Sequence, residues 1–495
     1  MRARLAAKAK QRQARKRDCV DEDFARVGAW IEDYLRDTRR YPVLSRSQPG
    51  DLTGALPATA PDEPESFETI FRDFEALVMP GITHWNHPRF FAYFSISAAP
   101  VTILAEALAA ALDANAMAWR TSPAATELED VTLEWLRQML GLPDAFHGII
   151  YDTASISGYT ALAAARESLD LDIRERGMGG RTDLPALRVY ITEHTHAHIE
   201  KGAIALGVGR ENVIKVPVDD AFCMRPDALA AAIDDDLAHG RRPMAAVGTI
   251  GTTSTTSSDP IAAMRAITRE RNVWLHVDAA YAGPAAILPE FRYLLDAAHG
   301  ADSLVLNPHK WLFVPIDLSV LYIRDLDLLR RTFSLAADYL EIPETGVHNY
   351  MDYGLQLGRR FRALKLWFAI RTYGVHGLQA HLRRHIALAQ EFASWVAAEP
   401  DCEIAAQHPL SVVCFRFVPP GASDAAIDAL NTAVMDDVNA DGQIFISATK
   451  LHGRVVLRLA IGNERTTRDD VVLAWDLIRA AAVRLRAFRG DVGHE

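Results

Sequence analysis

Apolar positions recur along this chain with two different periods, and the places where the period changes divide it. From Asp21 onward, Phe24, Val27, Ile31, Tyr34 and Leu35 share one side of a helical wheel, and Tyr41-Pro42 ends the run. Residues 48–65 are rich in Pro, Ala and Thr and read as an extended connector. The spacing then predicts a helix over 126–140, with Leu128, Val131, Trp135 and Met139 as its apolar stripe and Gly141 and Pro143 as its stop.

Short apolar runs alternate with helical ones through the middle of the chain. Strands are predicted at 148–151, 188–192, 245–250, 273–277, 303–307 and 319–323, and Asp259-Pro260 is expected to cap a helix running towards Asn272. Such alternation implies an α/β domain with a largely parallel sheet and ligands at the strand ends. After residue 372 the order becomes strand 411–417, helix 425–438, strands 443–448 and 455–460, and helix 467–488, which suggests a smaller α+β domain. The division is therefore an N-terminal helical segment (1–98), a large α/β domain (99–372) and a small C-terminal α+β domain (373–495).

Composition narrows the function classes. Of 495 residues, 49% are hydrophobic and 24% charged, enough for a large core without staples. The net charge of −11 argues against a nucleic-acid partner. The four cysteines are far apart and form no CxxC pair, which favours a reducing, cytoplasmic setting. No membrane span is expected: the best candidate, 96–112, is broken by Pro100 and Glu106 and reads as a buried or interface helix. Residues 1–17 carry eight Lys/Arg and no acid, and read as a solvated basic tail, with targeting or anionic-surface binding as the alternative.

Several familiar signatures fail. Gly207-Val-Gly209 is followed by Asn212 where a dinucleotide fingerprint needs glycine, and Ser157-Gly158 lacks the upstream glycine of a nucleophile elbow. His194, His196 and His198 alternate after a strand, but no carboxylate or cysteine stands at zinc spacing, so no metal is expected.

Three strand-end runs carry chemistry. In Leu306-Asn307-Pro308-His309-Lys310-Trp311 a lysine stands among apolar neighbours; desolvation disfavours its ammonium and favours a nucleophilic amine able to form a Schiff base. In His276-Val277-Asp278-Ala279-Ala280-Tyr281 a buried strand ends in a carboxylate that can pair with a cationic ring nitrogen. Thr153-Ala154-Ser155 lies before a helix expected near Gly158 and suits an anion. Each has an ordinary reading alone; together they point to pyridoxal phosphate far better than any one of them does.

With these runs and with Met79-Pro80-Gly81-Ile82-Thr83-His84-Trp85, Phe90-Phe91-Ala92-Tyr93-Phe94, Ser122-Pro123-Ala124 and Gly358-Arg359-Arg360-Phe361-Arg362, the chain resembles the pyridoxal-phosphate-dependent group II decarboxylases, their aromatic L-amino-acid branch above all. The resemblance extends from about Phe24 to the C-terminus. It implies a fold-type I homodimer with the active site at the subunit interface and N-terminal helices wrapped around the partner. It implies that Lys310 holds the cofactor, Asp278 pairs with its ring nitrogen, Ala280 packs on the ring and His196 stacks on its face. Ala154, Ser155 and Asn307 fall at phosphate positions, and Thr253 and His309 at the cofactor and substrate site. Trp85, Tyr93, Phe94, His309 and Gly358 fall at substrate positions, and Tyr339 at the proton-donating tyrosine of a mobile loop spanning 333–354.

The chain also departs from the pattern. Ser95-Ile96-Ser97 replaces the family's Pro-Thr pair, leaving Ser97 as a substitute contact for the substrate carboxylate. Asn115 and Met117 replace larger apolar residues, and Gly358 leans towards indole-type rings. The implied activity is decarboxylation of an aromatic L-amino acid to its amine. The rivals are an aromatic aldehyde synthase, a decarboxylase of glutamate or cysteine sulfinate, and a non-catalytic scaffold.

Overall fold

Val- and Leu-rich runs too apolar to face water on either side build the centre of the molecule. The structure, a computed structural model, describes residues 20–335 and 345–491; the basic tail and Tyr339 lie outside them. The strands of the larger sheet are β1 (His147–Tyr151), β2 (Leu187–Ile191), β3 (Val213–Lys215), β4 (Arg242–Thr249), β5 (Trp274–Asp278), β6 (Ser303–Leu306) and β7 (Ser319–Ile323). Among the described residues they form one seven-stranded sheet in the order β1-β7-β6-β5-β4-β2-β3. Strand β7 is the reversed one, antiparallel to β1 and β6, and the remaining pairs are parallel. Every residue of β5, β6 and β7 is buried, as expected of strands covered on both faces. The register pairs Asp278 with Thr249 on one side and Val305 on the other, so three strands end together.

The six expected strands are present within a few residues. β3 went unpredicted because a Val-Ile-Lys triplet is too short to show a period. Two local expectations are corrected. The helix Ile261–Glu270 is not capped by Asp259, whose carboxylate instead accepts the Met224 and Thr249 amides at 2.6 and 2.7 Å. The helix expected near Gly158 starts four residues earlier, at Ala154, with Thr153 as its N-cap.

The helix Pro123–Leu140 is present, and of its expected stripe Met139 is buried and Leu128 packs against the core, but the other half faces outward. Val131 and Trp135 are 43% and 37% exposed, while Ala125, Glu129, Thr132, Leu133 and Leu136 are buried. A carboxylate on the core face hid that face from a hydrophobic count. Glu129 is buried because Arg359 pairs with it at 2.7 Å; Arg359 also donates to the Ile150 and Ala116 carbonyls, and Glu129 accepts the Ile150 amide. This one cluster fixes β1, the helix and the segment after Gly358 to each other.

The small domain holds an antiparallel sheet, β10-β11-β9-β8, built from β8 (Cys402–Ile404), β9 (Val412–Phe417), β10 (Ser447–Leu451) and β11 (Arg454–Ala460). Two helices, Asp424–Asp441 and Arg468–Asp491, pack with it around Phe392, Phe415, Phe417 and Trp475. β10 lies later than 443–448 because Phe445 is drawn off to the N-terminal segment, where its carbonyl accepts the Phe91 amide at 2.8 Å. Arg39 and Arg89 both pair with the nearly buried Asp470, holding that segment to the small domain. The expected boundary at 372 falls within the helix Ala363–Ala398, two residues before a break at Gly374 (φ +58°), a left-handed backbone that favours glycine.

Among the described residues no helix is long and apolar enough to cross a membrane. The helix Pro100–Leu112, from the stretch weighed as a span, turns Ala105 and Ala109 inward and leaves Leu104, Leu108 and Leu112 half or more exposed.

Glu129→Ala would strand the Arg359 guanidinium in the core. The expected loss is about 3–5 kcal/mol of unfolding free energy by chemical denaturation; a loss below about 1 kcal/mol, the worth of an exposed ion pair, would show that the two carbonyls suffice.

Candidate active site

Where β4, β5 and β6 end, backbone gives way to loops and a cavity opens. It is lined by Phe94, Thr153, Ala154, Ser155, His196, His198, Thr249, Gly251, Thr253, Asp278, Ala280, Tyr281, Asn307 and Lys310. Phe94 is the sole member from the N-terminal segment; the others belong to the large domain.

Asp278 is the last residue of β5 and is 4% exposed. Its Oδ1 accepts the Ala280 amide at 3.0 Å, and its Oδ2 lies 4.0 Å from His198 Nε2. Burial works to raise this carboxyl's pKa, but the His198 ring, the Lys310 ammonium and the Ala280 amide together hold it below the ordinary value. Lys310 sits on the short helix Pro308–Trp311 directly after β6. Burial lowers its pKa, the Arg458 cation adds to that, and Asp278 opposes it. Desolvation thus shifts Lys310 towards its nucleophilic amine form while Asp278 beside it stays ionised.

His196 and His198 face each other with their Nδ1 atoms 2.9 Å apart, and His196 Nδ1 also accepts the His198 amide. Burial pushes His198 down to about 4 against the opposing pull of Asp278, and burial followed by the nearby Lys310 charge lowers His196. His194 diverges: its ring meets Phe222 edge-on and lies 3.8 Å from Glu193. Among the described residues no group of three or more His, Cys, Asp or Glu is placed to hold a metal.

On the opposite wall, the helix Ala154–Glu167 brings its N-terminus to the cavity through Thr153, Ala154 and Ser155. Its unpaired amides and positive dipole end favour an anion there. Ala154, Ala280 and Val305 form a small apolar floor. Three polar atoms of the lining, Asn307 Oδ1, Thr249 Oγ1 and His198 Nε2, are buried without a hydrogen-bond partner among the described residues. Unpaired buried polar atoms are costly, so these point to a polar guest. An aromatic cationic ring with a phosphate fits this set: a carboxylate for the ring nitrogen, an imidazole and a small apolar floor for its faces, a helix N-terminus for the phosphate and a lysine for an aldehyde.

Of the residues expected from sequence, Lys310, Asp278, His196, Ala154, Ser155, Thr253, Ala280, Asn307 and Phe94 meet at this one cavity. His309 does not line it; its Nδ1 accepts the Leu318 amide at 3.0 Å. Trp85 and Tyr93 stack on each other at 5.7 Å, away from the lining, and are 37% and 51% exposed. Gly358 is also outside it, with Asn115 Nδ2 4.0 Å from where a Cβ would stand. Ser97 does not line it either: it is buried, and its hydroxyl accepts the Glu464 amide.

His198, Thr249, Gly251 and Tyr281 went unnoticed as lining residues. Thr249 lay within the predicted strand 245–250, whose observed end it is. His198 carried a fainter signal in Gly158, whose imaginary Cβ would stand 2.8 Å from the His198 ring. Only glycine lets the imidazole come that close.

Comparison with known proteins agrees with this geometry. Residues 49–418 match the family described as pyridoxal-dependent decarboxylase conserved domain. The chain is 39% identical to the aromatic-L-amino-acid decarboxylase of Sus scrofa, covering 94% of this chain and 97% of the other. It is 38% identical to a phenylacetaldehyde synthase of Arabidopsis thaliana, covering 92% and 94%. The crystal structure of Oryza sativa TDC with PLP and tryptamine superposes with a TM-score of 0.91 at 33% identity, covering 94% and 98%.

Gly158→Ala tests the packing of the missed histidine. It should displace His198 and weaken uptake of pyridoxal phosphate by the apoprotein about tenfold, or about 1.4 kcal/mol. Gly202→Ala is the control, since its Cβ would meet nothing closer than 3.4 Å. Equal affinities in both variants would remove His198 from the site.

Proposed function

The chain belongs to the pyridoxal-dependent decarboxylase family, a carboxy-lyase that uses pyridoxal phosphate, and on that premise we propose that it decarboxylates an aromatic L-amino acid to the amine and CO2. The observation that carries this reading is the buried Asp278 beside Lys310 in a cavity closed on one side by Phe94 and Tyr281, whose rings stack at 3.8 Å. Tryptamine in the Oryza sativa structure supports an aromatic ring in the substrate.

When bound, the cofactor supplies an aldehyde that condenses with amines and a ring that accepts the electron pair left as CO2 departs. This chain's residues do the rest. Asp278, buried and held ionised, would keep a proton on the cofactor's ring nitrogen. Lys310, whose amine form desolvation favours, would hold the aldehyde. His196 and Ala280 would pack against the ring. Thr153, Ala154 and Ser155 would hold the phosphate, with Asn307 completing the polar lining. Water is kept from the reacting carbon by Phe94 and Tyr281. Tyr339, matched by sequence alone, would be the general acid that returns a proton to that carbon, a contribution of roughly 10²–10⁴-fold.

A homodimer is part of this proposal. Leu104, Leu108 and Leu112 make an exposed apolar stripe on one helix, and Val131, Trp135 and Phe24 add further apolar exposure. Trp85, Tyr93 and Gly358 also stand outside the single-chain cavity, as expected of residues that complete a site across a two-fold interface. The cytoplasmic setting expected from cysteine usage belongs to the proposal too.

A second reading comes from the likeness to phenylacetaldehyde synthase, which makes an aldehyde instead of an amine. Product analysis separates the two. Purified protein given Trp, Tyr, Phe and dihydroxyphenylalanine should release CO2 and amine in equal amounts without hydrogen peroxide. Borohydride reduction should place the pyridoxyl group on Lys310, and Tyr339→Phe should slow amine release and yield peroxide. Aldehyde and peroxide from the unaltered protein would establish the synthase instead, and the label on another lysine would overturn the assignment of Lys310.

A further inference from the structure

Arg458 is a buried cation for which the proposed chemistry has no use. It lies on β11 of the small domain and is 3% exposed. No carboxylate pairs with it among the described residues. Its Nε donates to the Ser254 carbonyl at 3.1 Å, one terminal nitrogen donates to the Tyr93 carbonyl, and the other is buried without a partner. Burying a guanidinium away from any anion is costly, and such a group persists where its position serves something else.

The two carbonyls it holds are informative. Tyr93 precedes Phe94 and Ser254 follows Thr253, and both Phe94 and Thr253 line the cavity. The guanidinium carbon lies 4.7 Å from the centre of the Phe94 ring, and Lys310 Nζ lies 5.2 Å from the same centre. Tyr93 has φ +48°, a left-handed conformation that a non-glycine residue keeps only when its surroundings impose it. Neighbours of Arg458 reinforce the grip. Across the sheet it is flanked by Cys414 and Ser447. The Cys414 thiol donates to the Ser254 carbonyl at 3.1 Å, and the Ser447 hydroxyl accepts the Tyr93 amide at 3.3 Å. One row of three residues on the small domain therefore holds both loops.

We propose that Arg458 is a positioning residue that sets Phe94 and Thr253 against the cofactor cavity from the small domain, and that its fixed charge is felt by Lys310. The inference rests on the cofactor reading above. The charged and titratable groups around Lys310 are Asp278, His196, His198, His309 and Arg458. Tyr281 and Cys414 adjoin Arg458 in turn. Of the cations among them, only Arg458 is permanent. Lysine in its place keeps a charge but not the planar fork that reaches two carbonyls.

The test titrates apoprotein with pyridoxal phosphate and follows the visible band of the loaded protein against pH, for the unaltered chain, Arg458→Lys and Arg458→Met. Arg416→Met is the control: Arg416 is equally buried in the same small sheet, but its partners are Asp428 and Glu403. Both Arg458 variants should bind the cofactor at least tenfold more weakly. Arg458→Met should also move the pH midpoint of the band upward, with Arg458→Lys nearer the unaltered chain. Arg416→Met should lower the melting temperature and leave affinity and midpoint unchanged. Affinity within twofold and an unmoved midpoint in Arg458→Lys and any folded Arg458→Met would overturn the assignment. An unaltered chain that takes up no cofactor would overturn the proposed function, and this inference with it.

Discussion

A single ionised carboxylate at the end of a fully buried strand organises this molecule. Asp278 is held where water cannot solvate it, by one amide, a nearby imidazole and a lysine one strand away. An isolated buried charge would neutralise itself instead. Its neighbours must therefore be placed accurately, and much of the fold can be understood as the means of doing so. The parallel register of β4, β5 and β6 brings Thr249, Asp278 and Val305 to one level, with Asn307 just past the end of β6. Gly158 admits His198 to the carboxylate, and the helix after β6 returns Lys310 towards it.

The smaller domain takes part in that arrangement. It reaches back through β11 to the two loops that carry Phe94 and Thr253, while Asp470 gathers Arg39 and Arg89 from the N-terminal segment. The cavity wall thus depends on three separated stretches of sequence. Displacing the small domain would shift Phe94 and Thr253 together, because one guanidinium holds both backbones.

Much of the large domain was legible because its strands are continuous apolar runs with chemistry at their ends. Lys310 and Asp278 announced themselves as polar residues closing such runs. What stayed hidden had physical reasons. The core face of the helix Pro123–Leu140 carries Glu129, neutralised by an arginine 230 residues away that no local period reveals. Strands of three residues leave no period at all, as β3 and β8 show. His309 lies one residue from the lysine and was expected in the site, but on a helical turn adjacent side chains diverge, and its ring is held by the Leu318 amide. Arg458 went unread because it lies on a strand that is otherwise apolar from Val455 to Ala460, and its partners, Tyr93 and Ser254, are 365 and 204 residues away.

The central claim is that Asp278 holds the proton on the cofactor's ring nitrogen. Nitrogen-15 NMR of the protein loaded with ring-labelled pyridoxal phosphate measures this directly. The unaltered chain should show a protonated nitrogen at pH 8, and Asp278→Asn, which keeps the size but loses the charge, should show an unprotonated one. A protonated nitrogen in both, or in neither, would contradict the account.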